Sequence, residues 1–469
     1  MRQRFTCACV FLILRLAASG ISSTGIPGVT NESSRLSHPV AVTTSPIHSF
    51  RDPETNRRRP PSSLSILNGD QPRPDLTSLS DAAKRKGVQL LSPADFTHPE
   101  WRRELEENLV DDGSGLLQLK GAPNSDPRFV FGTEISCVWR DPPITGRGPR
   151  VHLLLFAPDF AAVDALIERF APHGALACDR RPLLKLSAHD VAGFVLDADP
   201  RCEIIPAHVW TPWYGVYGSK SGFDSLEEAF GEYANNIRAI ETGLSSDPEL
   251  NWAVPELDRR ALVSFSDAHS VANVAREVTV FDMEPTYDGL REAIATQSIA
   301  ETIEFSPESG EYHMDGHRAC GIRLTPDESA SLGDVCPVCG KKLTLGVLNR
   351  IESLSESKSD IETSHDGLVA GPINRPPFRR LVLLRDLAAE TLGIGKNTKT
   401  VARAVDRLID HFGSELNVLV NAGQPELEDA TTHNLAAAIV AVRNGKLEIE
   451  PGYDGVYGVV APEIVRAAG

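Results

Sequence analysis

The chain has 469 residues, 41% of them hydrophobic, enough to bury a large core and to fold as two or three domains. Its formal net charge of −17 excludes a global positive field that would draw it onto nucleic acid, so a phosphate-bearing substrate has to be held by local basic groups or by metal. Eight cysteines, three of them clustered at Cys320, Cys336 and Cys339, suit a reducing compartment better than a disulfide scaffold.

The opening stretch, MRQRFTCACVFLILRLAASG, has the basic head, apolar middle and small residues of a signal peptide. Arg15 interrupts it, and residues 1–50 hold one acid, Glu32, amid Ser and Thr, as an organellar transit peptide does. A misassigned start is a third reading, and the three stay open. The chain has no apolar window of about 20 residues, so neither a spanning helix nor a membrane partner is expected; the expected location is cytoplasmic, associated with the nucleoid. Residues 1–74, rich in Pro, Ser and Arg, read as disordered.

From Asp75 the hydrophobic pattern becomes periodic. Helices are expected at 76–87, 99–110, 159–170, 187–197, 224–240, 269–276 and 286–296, and strands at 88–91, 128–138, 151–157, 203–207 and 261–265. Alternation of this kind predicts an α/β fold with a mostly parallel sheet closed into a barrel, to about residue 300. A compact cysteine-bearing segment follows at 304–350, then a polar connection at 355–367, a helical unit at 379–443 and a short β-type tail.

Several of the strand-like runs begin or end on a metal-binding residue type. Glu134 lies in RFVFGTEISCV, His152 opens VHLLLFAP, His208 closes EIIPAH, and Asp267 and His269 follow LVSFS; Asp95 stands after the 88–91 run. One strand-end histidine is commonly a hydrogen-bonded core residue. Six acids and imidazoles at successive strand ends would be costly to desolvate together unless a cation coordinates them. Such a set suits Zn, Mn or Mg and a hydrolytic reaction, because coordination lowers the pKa of a bound water. Asp95, Glu134, His152, His208, Asp267 and His269 are the candidate ligands of such a cluster.

A second donor set, His317-x2-Cys320-x15-Cys336-x2-Cys339, has the spacing of a closed four-ligand structural zinc site, with His313 as an alternative fourth ligand. In WTPWYGVYGSKSGFDS (210–225), the residues Trp210, Trp213, Tyr214, Ser219, Lys220 and Ser221 fit a loop that stacks a base and donates to phosphate, or a plain loop with packed tryptophans. Lys341 and Lys342 beside the knuckle are further DNA-backbone candidates. LGIGKNTKT (392–400) lacks the spacing of a Walker A loop, so no ATP use is expected. It reads as a helix cap, or as a turn offering Lys396 and Lys399 to a DNA backbone.

Taken together, DFTHPEW (95–101), FGTEIS (131–136), HLLLFAP (152–158), IIPAHVWTPWYGVYGSKSGFDSLEEAF (204–230), SDAHS (266–270), YHMDGHRACGIRLTPDES (312–329), CPVCGKKLTLGVLNR (336–350) and PGYDGVYG (451–458) resemble the endonuclease Q family of the polymerase-and-histidinol-phosphatase (PHP) phosphoesterases. The resemblance implies a distorted PHP-type β/α barrel over 75–303, a small zinc-binding domain over 304–354, a linker over 355–375 and a helical C-terminal domain over 376–469. It also implies repair of damaged DNA, by cleavage 5′ to deaminated bases (uracil, hypoxanthine) or abasic sites, with the base flipped into a pocket between the barrel rim and the zinc domain. By the same likeness Asp267, Glu134 and His208 are the expected catalytic residues, and His98 is a weaker metal-ligand candidate than Asp95.

One family feature is missing. The family opens on an Asp-x-His-x-His strand, whereas this chain has no His-x-His, and His48 stands alone. The first barrel strand is therefore expected to be missing or replaced. A PHP phosphoesterase acting on small phosphorylated molecules and an inactive damaged-DNA-binding protein are the alternative functions.

Overall fold

The computed structural model describes residues 10–15, 75–139, 148–178, 181–220, 222–356, 362–364, 366–371 and 375–463. Local chemistry accounts for the helix limits. Leu76–Lys86 is capped by the Asp75 carboxylate, which accepts from the Ser78 amide, and ends at Gly87 in the left-handed region (φ 88°). Ala188–Ala198 starts in a capping box between Ser187 and Asp190.

The strands form a ten-stranded sheet, a four-stranded sheet and three two-stranded pairs, and among the described residues no hydrogen-bonded ring closes. The closed, mostly parallel barrel expected from the sequence is not what these strands build. Phe131–Val138 and Arg150–Ala157 pair antiparallel, as do Arg150–Ala157 and Glu203–Pro206, while Ala239–Glu241 and Ala261–Val263 pair in parallel. Both central strands are almost wholly buried, which is why they read as continuous apolar runs.

Two expected helices are shorter or absent. The 224–240 helix is reduced to Leu226–Phe230, a 3₁₀ turn follows, and Ala239–Glu241 is a strand. Gly231 (φ 54°, ψ −130°) ends the helix by leaving helical geometry. The 269–276 helix is only a turn at Val271–Asn273, since Ala275 takes a positive φ of 58°.

The N-terminal region, expected to lack order, contributes one strand. Val10–Arg15 pairs antiparallel with Leu90–Ser92 and parallel with Val278–Asp282. The strand is VFLILR, without an acid or imidazole. His48 and the remainder of 1–74 lie outside the described residues, as does much of the 355–375 linker.

The segment bearing the cysteines is seated through Arg350, which donates to the carbonyls of Tyr217 and Phe223 at 2.8 Å. The helical unit (Leu384–Leu392, Lys399–Phe412, Gln424–Ala430, His433–Arg443) is joined to the first helix by a buried Lys86–Glu415 ion pair of 2.7 Å. The 392–400 stretch is the turn between its first two helices, capped by Thr398, with Lys396 paired to Asp386 at 3.2 Å. Among the described residues no helix is long and apolar enough to cross a membrane.

Candidate metal centre

Sheet register brings the first donors together. Ser136 pairs with His152, and because side chains alternate, Glu134 shares the face of Ser136 and hence of His152. Leu153 pairs with Pro206, so His208, just past that strand, arrives beside His152. The Glu134 Oε1 atom lies 3.1 Å from His152 Nδ1 and 3.5 Å from His208 Nε2, and the two imidazole nitrogens are 3.0 Å apart. Each of the three residues offers one donor atom, all within 4.8 Å of one another.

The surroundings fix these donors. Thr211 Oγ1 holds the other His208 nitrogen at 2.9 Å, and Glu241 Oε2 accepts from the His208 amide at 2.7 Å. Tyr214 stacks on the His152 ring at 4.2 Å. Gly243, at φ 54°, is required against His208: a Cβ there would stand 2.5 Å from the His208 Cβ. His208 (φ 32°), Asp95 (φ 53°), Asp267 (φ 54°) and Tyr214 (φ 66°) all lie in the left-handed region that non-glycine residues rarely occupy. Strain of this kind persists where surrounding structure over-determines it, and it gathers at functional sites.

The electrostatics suit a cation. Burial would raise the Glu134 carboxyl, but Arg181 and the two imidazoles together hold it well below the usual carboxylate range. Burial and the Arg181 charge push His152 down to about 3, leaving a neutral imidazole able to donate to a metal. Asp267 is pushed well above its ordinary value, chiefly by burial, against the opposing charges of Arg276 and Arg181. Its Oδ1 is buried without a hydrogen bond, an orphaned acceptor that a cation would satisfy.

Asp95, Asp267 and His269 fall outside the 4.8 Å group, and so does His98. Asp95 and Asp267 join it electrostatically, since both act on the Arg181 guanidinium. Arg181, Glu241, Gly243 and Thr211 are site residues that the sequence reading passed over.

The second donor set, His317, Cys320, Cys336 and Cys339, is brought within 4.8 Å. Its knuckle is closed by the Cys336 amide donating to the Lys341 carbonyl at 2.7 Å and the Gly340 amide to the Cys336 carbonyl at 2.8 Å. Burial acts to raise the Cys336 thiol, yet the Cys339 and Val338 amides bring it down to about 7, toward the thiolate that binds metal. His313 is not the fourth donor: it is buried near Glu308, Asp247 and Arg380.

The proposed DNA loop divides. Trp210 is 0% exposed, stacks on Tyr217 at 4.8 Å and donates to Asn251 Oδ1 at 2.7 Å, so it packs the floor of the site and meets no base. Trp213 and Tyr214 are half-buried, and Trp213 meets Tyr312 edge-on at 5.3 Å. Ser219 donates to the Leu345 carbonyl at 3.0 Å, Lys220, Lys341 and Lys342 are exposed, and Ser221 lies outside the described residues. Gly218 serves packing, because a Cβ there would stand 2.2 Å from the Thr211 carbonyl oxygen. Between this loop and Tyr312, His313 and Val347 runs a crevice of about 10 Å³, room for roughly one water and too little for a base.

Residues 384–446 match the family model of the MJ0043 C-terminal domain. The MJ0043 protein of Methanocaldococcus jannaschii is 30% identical over 295 residues, which are 60% of this chain and 35% of that protein; this chain thus spans about a third of that relative. The YqxK protein of Bacillus subtilis is 28% identical over 395 residues, 82% of this chain and 91% of that one. Among solved structures, the lesion-specific endonuclease PfuEndoQ from Pyrococcus furiosus superimposes with a TM-score of 0.70 at 28% identity, covering 83% of this chain and 91% of that one. An endonuclease Q complex with a 27-mer duplex carrying an abasic lesion at its active site matches with the same TM-score and identity, covering 83% and 92%.

Proposed function

From the premise that this chain is an endonuclease Q-like protein, we propose that it is a metal-dependent DNA-repair endonuclease that cuts the phosphodiester 5′ to deaminated bases or abasic sites. The observation that carries the reading is the convergence of Glu134, His152 and His208, with His208 held on left-handed backbone. The donor set and the orphaned Asp267 oxygen fit a divalent Zn, Mn or Mg ion, which would act as a Lewis acid toward the phosphate and make water nucleophilic near neutral pH.

In this reading Glu134, His152 and His208 hold the ion and Asp267 completes its charge. Asp95 and His269, in the loops that follow Leu90–Ser92 and Ala261–Val263, would be second contributors. Thr211 fixes the His208 ring so that Nε2 faces Glu134, and Glu241 fixes the backbone that carries it. His317, Cys320, Cys336 and Cys339 would hold a structural zinc that keeps Tyr312 and Lys341–Lys342 beside the mouth. Trp213, Tyr214 and Tyr312 are the aromatic faces available to an extruded base, and Ser219, Lys220, Lys341 and Lys342 are the groups available to the backbone.

The test is incubation of the zinc-loaded protein with Mn²⁺ or Mg²⁺ and an end-labelled duplex bearing one abasic site or uracil. Nicking on the 5′ side of the lesion, absent from the undamaged duplex, supports the reading; no nicking with either metal refutes it. One observation favours a second reading, an inactive damaged-DNA-binding protein. The strand Val10–Arg15, between Leu90–Ser92 and Val278–Asp282, carries no acid or imidazole, and the sequence has no His-x-His. Lesion-specific binding without cleavage would support it.

A further inference from the structure

Arg181 enters the site by register. The short strand Leu183–Leu184 pairs in parallel with Phe131–Val138, Leu183 opposite Ser136, and the Ser136 amide donates to the Pro182 carbonyl at 2.9 Å. Two residues back along both strands, Arg181 meets Glu134. Its Nε lies 2.5 Å from Glu134 Oε2, the oxygen turned away from the imidazoles, while Glu134 Oε1 faces His152 and His208. The arginine is the more exposed member of the pair, with 19% of its side chain accessible against 1% for Glu134.

A guanidinium keeps its charge at any physiological pH and forms a planar fork suited equally to a carboxylate and to a phosphate. Here it faces more anions than it can pair: Asp267 and Asp95 act on it as well as Glu134. A divalent ion shared by Glu134, His152 and His208 would repel the guanidinium and compete with it for the Glu134 charge. Displaced from Glu134, the fork would be free to pair with an incoming phosphodiester.

We propose that Arg181 is the phosphate-holding residue of this site, and that it exchanges Glu134 for the DNA backbone when a divalent cation binds. The proposal rests on the reading of the cluster as a metal-dependent phosphodiesterase centre. Its consequence is reciprocal coupling: cation and DNA each ease the binding of the other, because each relieves Arg181 of the partner it would otherwise keep.

The experiment is a calorimetric titration of Mn²⁺ into full-length protein whose Cys/His site is already loaded with zinc, for wild type, Arg181→Gln and Arg181→Lys. It is paired with abasic-duplex affinity measured with and without Ca²⁺. Arg181→Gln should bind Mn²⁺ roughly tenfold tighter than wild type, as expected when a competing cation is removed, and should lose most of the Ca²⁺-dependent gain in DNA affinity. Arg181→Lys keeps the charge but not the fork, so its Mn²⁺ affinity should stay near wild type while the DNA gain falls; if Arg181→Gln does not fold, this variant decides alone. Weaker or unchanged Mn²⁺ binding in Arg181→Gln would mean that the arginine merely props Glu134 in place, and would overturn the proposal. Tighter Mn²⁺ binding in a protein that never nicks DNA would uphold it and defeat the endonuclease reading, while nicking with no metal–DNA coupling would do the reverse.

Discussion

The two donor groups are opposites in construction. His317, at a strand end, and Cys320, Cys336 and Cys339, on short turns, bring together the four donors that a structural zinc takes, Cys336 buried and Cys339 exposed. Glu134, His152 and His208 lie in the sheet core, are only three, and are flanked by a buried orphan oxygen, a competing arginine and left-handed backbone at His208, Asp95 and Asp267. A closed, relaxed set stabilises a fold. An open, strained one keeps room for chemistry, and the sheet around it supplies the rigidity that the strain demands.

Changes in either group should sharpen that contrast. The largest effect is expected from Cys336→Ser, because structural zinc contributes about 10 kcal/mol in small zinc units. Bound zinc measured by mass spectrometry should fall from one equivalent to none, and limited proteolysis should open the 317–345 region while the sheet core stays protected. Uniform loss of structure would erase the distinction. In the other group, Glu134→Gln should lower nicking by more than the roughly 100-fold typical of losing an outer-shell partner, with zinc content unchanged. Glu241→Gln, which touches His208 only through its amide, should fall within about 10- to 100-fold.

A pH effect is expected on the sheet side. Glu277 is raised to about 8, chiefly by burial, although it accepts from the Leu244 and Phe305 amides. Its folded value lies above the unfolded one of about 4.5, so the stability linked to its protonation is fully present below that value and is lost as pH rises toward 8. Thermal midpoints of wild type should fall across that window, and Glu277→Gln should flatten the decline. A slope that persists in the variant would assign it elsewhere.

Much of this site was legible in the sequence, and the exceptions have physical causes. Glu134, His152 and His208 show themselves because each tips or interrupts a short apolar run. Glu241 ends Ala239–Glu241 by the same rule, but that strand was absorbed into an expected helix that Gly231 stops early. Arg181 carries no local signal at all: only the register of a two-residue strand brings it to Glu134. Trp210 was grouped with its aromatic neighbours, yet sequence proximity does not separate the buried floor of a loop from its exposed lip. The Val10–Arg15 run has the composition of a leader, and only its pairing on both sides distinguishes it as a strand.

The smallest effect tests the strained backbone. Gly243→Ala should cost about 1–3 kcal/mol, from the positive φ and the contact with His208. It should also weaken Mn²⁺ binding, and an unchanged affinity would show that His208 needs no such support.

The most direct test is an anomalous-scattering map from crystals soaked in Mn²⁺. A single strong peak bonded to Glu134, His152 and His208, with Arg181 moved off Glu134, is the predicted result. A map in which those three side chains share no peak, while the Cys/His unit holds its ion, would contradict the account.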